Sequence, residues 1–597
     1  MLQATLEQIT IRALDHHGLT DFFEGQTELT FEQPADQAHG DYSTNAALIL
    51  FGKLAAEDKQ RLQLNSPREL AQTIVNQINQ DPEKPDFIEK LEVAGPGFIN
   101  FHISNQPYFA YLNQLVQQKK SPFSKSQKLD QSIVVEYSSP NIAKPFTIGH
   151  LRSTIIGDAV ANLLEARGYH VYRDNHLGDW GTQFGKQICA IKKWGDEKVI
   201  SQAENKVKEL VSLYVKFHQE AENDESLIKE GRLWFKKLEE GDQEAKRLWQ
   251  QCVDWSLSEF KKIYQKLGIE FTENQGLGYG ESFFQDKMDQ VISELREKEL
   301  LTKSDGAELV FFPDEEYPPL MILKADGATL YSTRDLATDK FRLEKYGQDV
   351  RIINEVGAEQ ALYFKQLFRV EEMLGWVKSE QRVHLKHGLY RFKDKKMSTR
   401  KGNVIWLNDV LNESFQRVAE IAGDRIDQEA IWQIAIGALK WNDLKRRPEL
   451  NVVFDWDEII RLEGNSGPYV QYTYTRAISV LQRANRNGNQ SNRTEMAWTE
   501  FEQDLSNDLE EVEEQLLKKF YQFADVLEQA EQDLSLHHLT NYLFELSQLF
   551  NSFYNQLSIL DAQTKKHKQF RLALTEATAY LIKQGLDILG IETLKKM

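Results

Sequence analysis

Three stretches of this chain gather residues that could do chemistry. EYSSPNIAKPFTIGHLRSTIIGD sets Gly149 and His150 where a turn-rich segment becomes helical. Glycine lets a phosphate approach the backbone, and a helix N-terminus offers it free amides and the positive end of a dipole. An imidazole at that point can hydrogen-bond the phosphate as charge builds on it. Standing alone, the Gly-His pair is better read as a satisfied structural histidine. KDKKMSTRKGNV packs Lys393, Lys395, Lys396, Arg400 and Lys401 around small polar residues and a glycine. A basic loop of this kind can close over a triphosphate and neutralise the charge moving onto departing pyrophosphate; alone it would be a solvated turn. In LYSTRD, Tyr331 and Asp335 are four apart and share a face if the segment is helical. Asp335 could otherwise be a capping or surface-paired carboxylate.

The elements that must position these residues are legible from apolar spacing. Ile133 to Val135 read as a buried strand, Leu151, Ile155, Ala159 and Leu163 as one face of a helix ending near Gly168, and HVYRDN as a second strand. Strand, turn, helix, strand is the βαβ unit of a doubly wound parallel sheet, whose ligands sit at the carboxyl ends of the strands. ELVFF, PLMIL and RIIN are expected to complete that sheet, after a charged helical insertion over about 195–270 anchored by Trp234, Leu238, Trp249, Trp255 and Phe260. The fold expected is therefore α/β: a Rossmann-like catalytic domain over 130–405, preceded by an α+β domain over 1–115 and followed by an all-helical domain over 410–597. Ser66-Pro67 marks a helix start in the first of these, and LEVAGPGFINFHI reads as strands broken by Gly95, Pro96 and Gly97.

Composition narrows the function. The net charge of −19 argues against bulk electrostatic binding of nucleic acid, so any RNA footprint must be local. Lys119, Lys120, Lys125 and Lys128, then Lys445, Arg446 and Arg447, then Lys565, Lys566, Lys568 and Arg571 are the candidate clusters, each readable as an ordinary solvated patch. Two cysteines, Cys189 and Cys252, cannot build a four-cysteine zinc site or a disulfide framework. There is no apolar run of about 18 residues and no secretory signal pattern, so a cytoplasmic protein without a membrane association is expected.

Taken together, Thr147-Ile148-Gly149-His150 and Lys396-Met397-Ser398-Thr399-Arg400 resemble the two signatures of class I aminoacyl-tRNA synthetases, HIGH and KMSKS, in the right order and on the expected elements. The longer stretches SSPNIAKPFTIGHLRSTIIGD, NHLGDWGTQFGKQI, DGATLYSTRDLAT, KMSTRKGNV, EGNSGPYVQYTYTRA and the final LGIETLKKM are similar to the arginyl-tRNA synthetases. The resemblance runs over nearly the whole chain and is weakest in the helical insertion. It implies activation of arginine with ATP, then transfer to the 3′-terminal adenosine of tRNA(Arg). A guanidinium never deprotonates and needs carboxylates and in-plane acceptors. By resemblance, Asp335, Tyr331 and Glu281 read it, and Ser139, Asn141, His150 and Gln360 take the amino and carboxylate end, with Glu136 and Asn100 as further candidates. The same resemblance assigns Thr147, Gly149, His150, Gly178, Asp179, Lys396, Met397 and Ser398 to ATP, and His150, Gly149, Thr147, Lys396, Ser398 and Lys401 to catalysis. It gives the helical domain to the anticodon and the N-terminal domain to the tRNA elbow. Tyr469, Gln471 and Tyr472 in GPYVQYTY could stack on or bond splayed bases, although packing between the catalytic domain and the helices is the favoured explanation of those three.

The first histidine of HIGH is Thr147 here and the second lysine of KMSKS is Thr399, so a hydroxyl replaces one imidazole and Lys401 or Arg400 must supply the missing charge. Mg²⁺ is expected with the ATP phosphates, no zinc, no DNA partner, no editing domain, and a monomer. A zinc-dependent cysteine enzyme is disfavoured by the two cysteines, and a small nucleotidyltransferase would not need the helical C-terminal domain.

Overall fold

The computed structural model describes residues 2–19, 29–34, 36, 39–118, 131–392, 405–486 and 508–594. It divides into two compact units: residues 1–118 with 491–521, and 119–490 with 522–597.

In the first unit, strands β1 (Phe31–Glu32), β2 (Tyr42–Thr44), β3 (Ile88–Ala94) and β4 (Phe98–Ile103) form an antiparallel sheet in the order β1-β2-β4-β3. The turn at Gly95 and Gly97, both at positive φ, joins β3 to β4 as a hairpin. Helix Pro67–Gln80 starts at Ser66, whose side chain accepts from the Glu69 amide, and buries Leu70, Ile74 and Ile78. Helix Glu511–Tyr521 belongs to this unit too, Tyr521 lying against Tyr108 and Tyr111.

The second unit is built on a four-stranded sheet of β5 (Ser132–Glu136), β6 (His170–Asp174), β10 (Arg351–Gly357) and β11 (Arg382–His387), all parallel, in the order β11-β10-β5-β6. Ile133, Val134 and Val135 are buried, as a central parallel strand covered on both faces requires. Helix Ile148–Ala166 crosses from β5 to β6 and buries Leu151, Ile155, Ala159 and Leu163. It sits so close to the sheet that a Cβ on Gly157 would run into the Tyr137 ring. The chain goes from β5 to β6 on one side and has β10 on the other, so the strand order reverses between β5 and β10. A crevice at their carboxyl ends follows from that topology.

One expectation fails here. ELVFF and PLMIL do not extend the parallel sheet: β8 (Ala307–Val310) and β9 (Leu320–Leu323) pair antiparallel with each other and with β7 (Leu301–Ser304) in a separate sheet of three strands. Short apolar runs carry no information about their pairing partner. RIIN, as β10, does join the main sheet. Helices Lys206–Ala221, Ser226–Glu239 and Gln243–Leu267 make up the insertion. Beyond β12 (Tyr390–Phe392) and β13 (Val452–Phe454), paired parallel to each other, the unit is helical, with Gln428–Leu444, Gly467–Arg486, His537–Gln556 and Lys565–Ile588 as its long members. Among the described residues no helix is long and apolar enough to cross a membrane.

Candidate active site

A cleft of about 260 Å³ opens at the carboxyl ends of β5 and β10. It is smaller than the roughly 300–1,000 Å³ sites that take drug-sized ligands, a size suited to a single amino acid. Glu136, Ser139, Asn141, Gly178, Glu281, Tyr331, Asp335 and Gln360, drawn from five separate stretches of sequence, all line it. Helix Tyr331–Tyr346 begins at Tyr331, so Tyr331 and Asp335 do share a face.

Asp335 is the cleft's distinctive group. Its side chain is 28% exposed, Tyr363 donates its hydroxyl to one oxygen, and His176 Nε2 lies 3.9 Å from the other. Removal from water pushes its carboxyl up to about 6, only partly offset by His176 and Tyr363. Glu281 is also pushed up by burial, with Arg334 3.6 Å away pulling the other way. Ser139 Oγ is buried in the cleft wall with no hydrogen-bond partner among the described residues. Asn141 bridges to Gly178, where a Cβ would strike the Asn141 amide.

Not every expected residue serves the cleft directly. Glu136 lines it, but its carboxylate is held by Arg342 at 2.7 Å and by the Asn354 amide at 2.9 Å, so it orients neighbours. Asp179 spends its carboxylate on Ser282, accepting from the amide at 2.7 Å and the hydroxyl at 2.6 Å, which fixes the turn carrying Glu281. Burial raises Asp179 all the same. Asn100 belongs to the first unit, where its side-chain carbonyl accepts from Ser43 at 2.8 Å.

At the start of helix Ile148–Ala166, Gly149 is exposed and His150 Nδ1 accepts from the Thr147 amide at 3.0 Å. Burial pushes the imidazole down to about 4, so at neutral pH it is uncharged. With Nδ1 an acceptor, the proton is on Nε2, the tautomer that can donate to an oxyanion. Lys393, Lys395, Lys396, Met397, Ser398, Thr399, Arg400 and Lys401 lie outside the described residues. The flanks are described: Ile405 O accepts from the Ile148 amide at 3.1 Å, and Trp406 forms a bridge with Thr147.

His176 and Tyr363 were missed from sequence. Both stood in stretches already singled out: His176 is two residues before Gly178, and Tyr363 is three after Gln360, one helical turn away.

A second cleft, of about 800 Å³, lies among the C-terminal helices, and Tyr469, Tyr472 and Arg476 line it. Tyr472 is exposed with the Arg476 guanidinium 4.8 Å from its ring. Gln471 is a correction: it is fully buried, its amide donating to the carbonyls of Gln433 at 3.2 Å and Glu592 at 2.8 Å, so it packs helices. The basic cluster of Lys445 and Arg446 is likewise engaged, by Glu458.

A doubly wound sheet with a glycine-histidine helix start and an amino-acid-sized cleft at its switch point defines a class I aminoacyl-tRNA synthetase, and the chain matches the family model "tRNA synthetases class I (R), catalytic domain" over residues 111–456. Residues 2–103 match the arginyl tRNA synthetase N terminal domain and residues 470–597 the DALR anticodon binding domain. An arginine–tRNA ligase of Clostridium perfringens is 40% identical over 538 residues, covering 89% of this chain and 91% of that protein. One of Exiguobacterium sp. is 39% identical over 577 residues, 96% of each. The chain belongs to the arginyl-tRNA synthetase family. Its fold matches the solved arginyl-tRNA synthetases of Plasmodium falciparum, with a TM-score of 0.79, 23% identity and coverage of 100% of this chain and 99% of that one, and of Thermus thermophilus, with a TM-score of 0.79, 22% identity and coverage of 100% of both.

Proposed function

We propose that the cleft at the ends of β5 and β10 is where this arginine–tRNA ligase holds its amino acid. The observation that carries this is Asp335: a half-buried carboxylate to which no arginine or lysine among the described residues is paired. An incoming guanidinium completes the pair, with Tyr331 beside it and Glu281 across the cleft. Ser139, Asn141 and Gln360 take the amino and carboxylate end, and Ser139 Oγ thereby gains the partner it lacks. Thr147, Gly149, His150 and the backbone at Gly178 receive ATP, with Lys396, Met397, Ser398 and Lys401 closing on its phosphates.

The enzyme activates arginine and then transfers it. Arginine's carboxylate attacks the α-phosphorus of ATP, forming arginyl-adenylate and releasing pyrophosphate. No protein nucleophile is needed. The chain aligns two anions and stabilises developing charge through the His150 Nε2–H, the helix N-terminus and the basic segment. The 2′-hydroxyl of the terminal adenosine of tRNA(Arg) then attacks the activated carbonyl, and AMP leaves. Mg²⁺ comes as part of the MgATP substrate.

We assign residues 1–115 to the tRNA elbow, 130–405 to catalysis and 410–597 to the anticodon, where Tyr472 and Tyr469 offer rings to an unpaired base. The protein acts as a cytoplasmic monomer and does not use DNA. Arginine-dependent exchange of pyrophosphate into ATP, run with and without tRNA and against lysine and citrulline, tests the reading. Exchange restricted to arginine is expected, because a pocket with a buried carboxylate rejects ligands that leave it unpaired. Equal exchange with citrulline would overturn the assignment of Asp335.

A further inference from the structure

His176 lines the cleft, and its two ring nitrogens have different surroundings. Nδ1 lies 3.1 Å from the Tyr279 carbonyl, a group that can only accept, so Nδ1 carries the ring proton. In the neutral ring Nε2 is then a bare lone pair. It is buried, has no hydrogen-bond partner among the described residues, and lies 3.9 Å from Asp335 Oδ1. Tyr363 donates to the other oxygen, Oδ2, and leaves Oδ1 open. Two acceptors therefore stand side by side in the cleft, too far apart to bond one another, with no donor of the described residues between them.

Packing fixes the ring in this orientation. The side chain is 13% exposed, and its ring centroid is 5.7 Å from that of the buried Phe284. The bond to Tyr279 is not what holds the turn at 279–282, because three neighbouring groups already do. Asp174 Oδ1 accepts from the Tyr279 amide at 3.2 Å, the Leu177 carbonyl from the Glu281 amide at 3.0 Å, and the Asp179 carboxylate from Ser282. What the Nδ1 bond adds is the tautomer: it decides which nitrogen is left as an acceptor and where that acceptor points.

We propose that His176 reads the guanidinium together with Asp335, Nε2 accepting one N–H of a terminal NH₂ group whose other N–H goes to Asp335 Oδ1. A planar nitrogen about 2.9 Å from each acceptor directs one hydrogen at each. A neutral acceptor suits this place, since a further carboxylate beside Asp335 and Glu281 would repel both. Nε2, unpaired in the free enzyme, gains its partner only when a donor arrives. This deepens, and rests on, the reading of the cleft as the arginine site.

The test is pyrophosphate exchange by full-length His176→Asn and His176→Gln in the presence of tRNA(Arg), with arginine and ATP varied separately and thermal unfolding recorded. The Asn amide falls where Nδ1 is and keeps the bond to Tyr279, but reaches no further. The Gln carbonyl reaches the place of Nε2 and gives up the Tyr279 bond. His176→Asn is expected to raise the arginine KM at least about tenfold, the scale of a lost hydrogen bond to a charged group, with the ATP KM within about twofold of the parent. His176→Gln is expected to stay within about threefold for both substrates. If His176→Asn does not fold, His176→Leu against His176→Gln carries the same comparison, both lacking the Tyr279 bond and only the second keeping an acceptor. Gln impaired with Asn near the parent would mean that the ring merely braces Tyr279 and would overturn the proposal, as would equal losses for arginine and ATP. Tighter arginine binding by His176→Asn would overturn it too, by making His176 the cation that Asp335 pairs with in the free enzyme. Asp335→Ala in the same assay separates the two levels. If it keeps the parent's arginine KM, the cleft reading itself is wrong; if it loses arginine while His176→Asn does not, only the role given to His176 fails.

Discussion

Asp335 and Asp339 stand one turn apart on helix Tyr331–Tyr346 and have opposite fates. Burial would raise both. Asp339 is met by Arg382 at 2.5 Å and Arg342 at 3.1 Å, which hold its carboxyl below the ordinary value. Asp335 is met by a phenol and a distant imidazole and rises to about 6. Around Asp339, Arg342 also binds Glu136 and Asp174, and Arg382 binds Glu371, so the ion cluster in the cleft wall supplies its own cations. Asp335, by contrast, has no arginine or lysine partner among the described residues. What separates structure from function in this helix is thus whether the chain provides the counter-charge or leaves it to a ligand.

The sharpest way to break that distinction is to remove each carboxylate. Asp335→Ala should fold normally and lose about 10³-fold in arginine-dependent exchange, in line with the roughly 2–5 kcal/mol for truncating one partner of a desolvated charge pair. A loss under tenfold would mean the guanidinium lies elsewhere. Asp339→Ala should do the reverse. Leaving Arg382 and Arg342 short of a buried partner costs about 3–5 kcal/mol of stability, to be read as a lower urea midpoint of the catalytic unit, with the activity of the folded fraction reduced far less. Should Asp339→Ala unfold no more readily than the parent, the ion cluster does not hold the unit together through Asp339.

How much of this was readable beforehand follows from the kind of signal involved. The βαβ unit was legible because Ile133–Val135 and Leu151, Ile155, Ala159 and Leu163 have periods of their own, independent of the rest of the fold. The separation of β8 and β9 from the main sheet was not, because a four-residue apolar run does not say which edge it will join. In the site, Tyr331 and Asp335 were recognisable from their spacing, and their family resemblance supplied the companions. The fates of Glu136 and Asp179 were hidden because Arg342 and Ser282, which occupy them, are 206 and 103 residues away. His176 meets Asp335 with its Nδ1 at the Tyr279 carbonyl, 103 residues on, a tertiary arrangement with no local mark.

The same contrast recurs one residue apart on helix Gly467–Arg486, on a smaller scale. Gln471 is buried with its amide committed to backbone carbonyls, whereas Tyr472 is 42% exposed with the Arg476 guanidinium 4.8 Å from its ring. Tyr472→Ala should raise the KM for tRNA(Arg) about tenfold, within the roughly 1–3 kcal/mol that one stacked base contributes, and leave tRNA-independent arginine binding unaltered. Gln471→Ala should instead lower thermal stability, because it strands the carbonyls of Gln433 and Glu592. If both substitutions change only stability, the C-terminal cleft is a packing defect and no RNA surface.

The smallest effect is the most specific to Asp335. Arginine binds the ionised carboxylate, and its cation lowers the carboxyl's pKa in the complex relative to about 6 in the free enzyme. Binding must then take up no proton above pH 7 and release one as the pH falls through 6, so affinity is full at high pH and declines on the acid side. At pH 5.5 about a quarter of the free enzyme has Asp335 ionised, which weakens apparent arginine affinity about fourfold relative to pH 7.5. Titration calorimetry in buffers of different ionisation enthalpy reads both the fourfold loss and the released proton. Asp335→Asn should bind weakly and without this pH dependence. A parent enzyme whose affinity is flat between pH 7.5 and 5.5 would place the Asp335 carboxyl in the ordinary range, and with it remove the difference between the two aspartates of this helix.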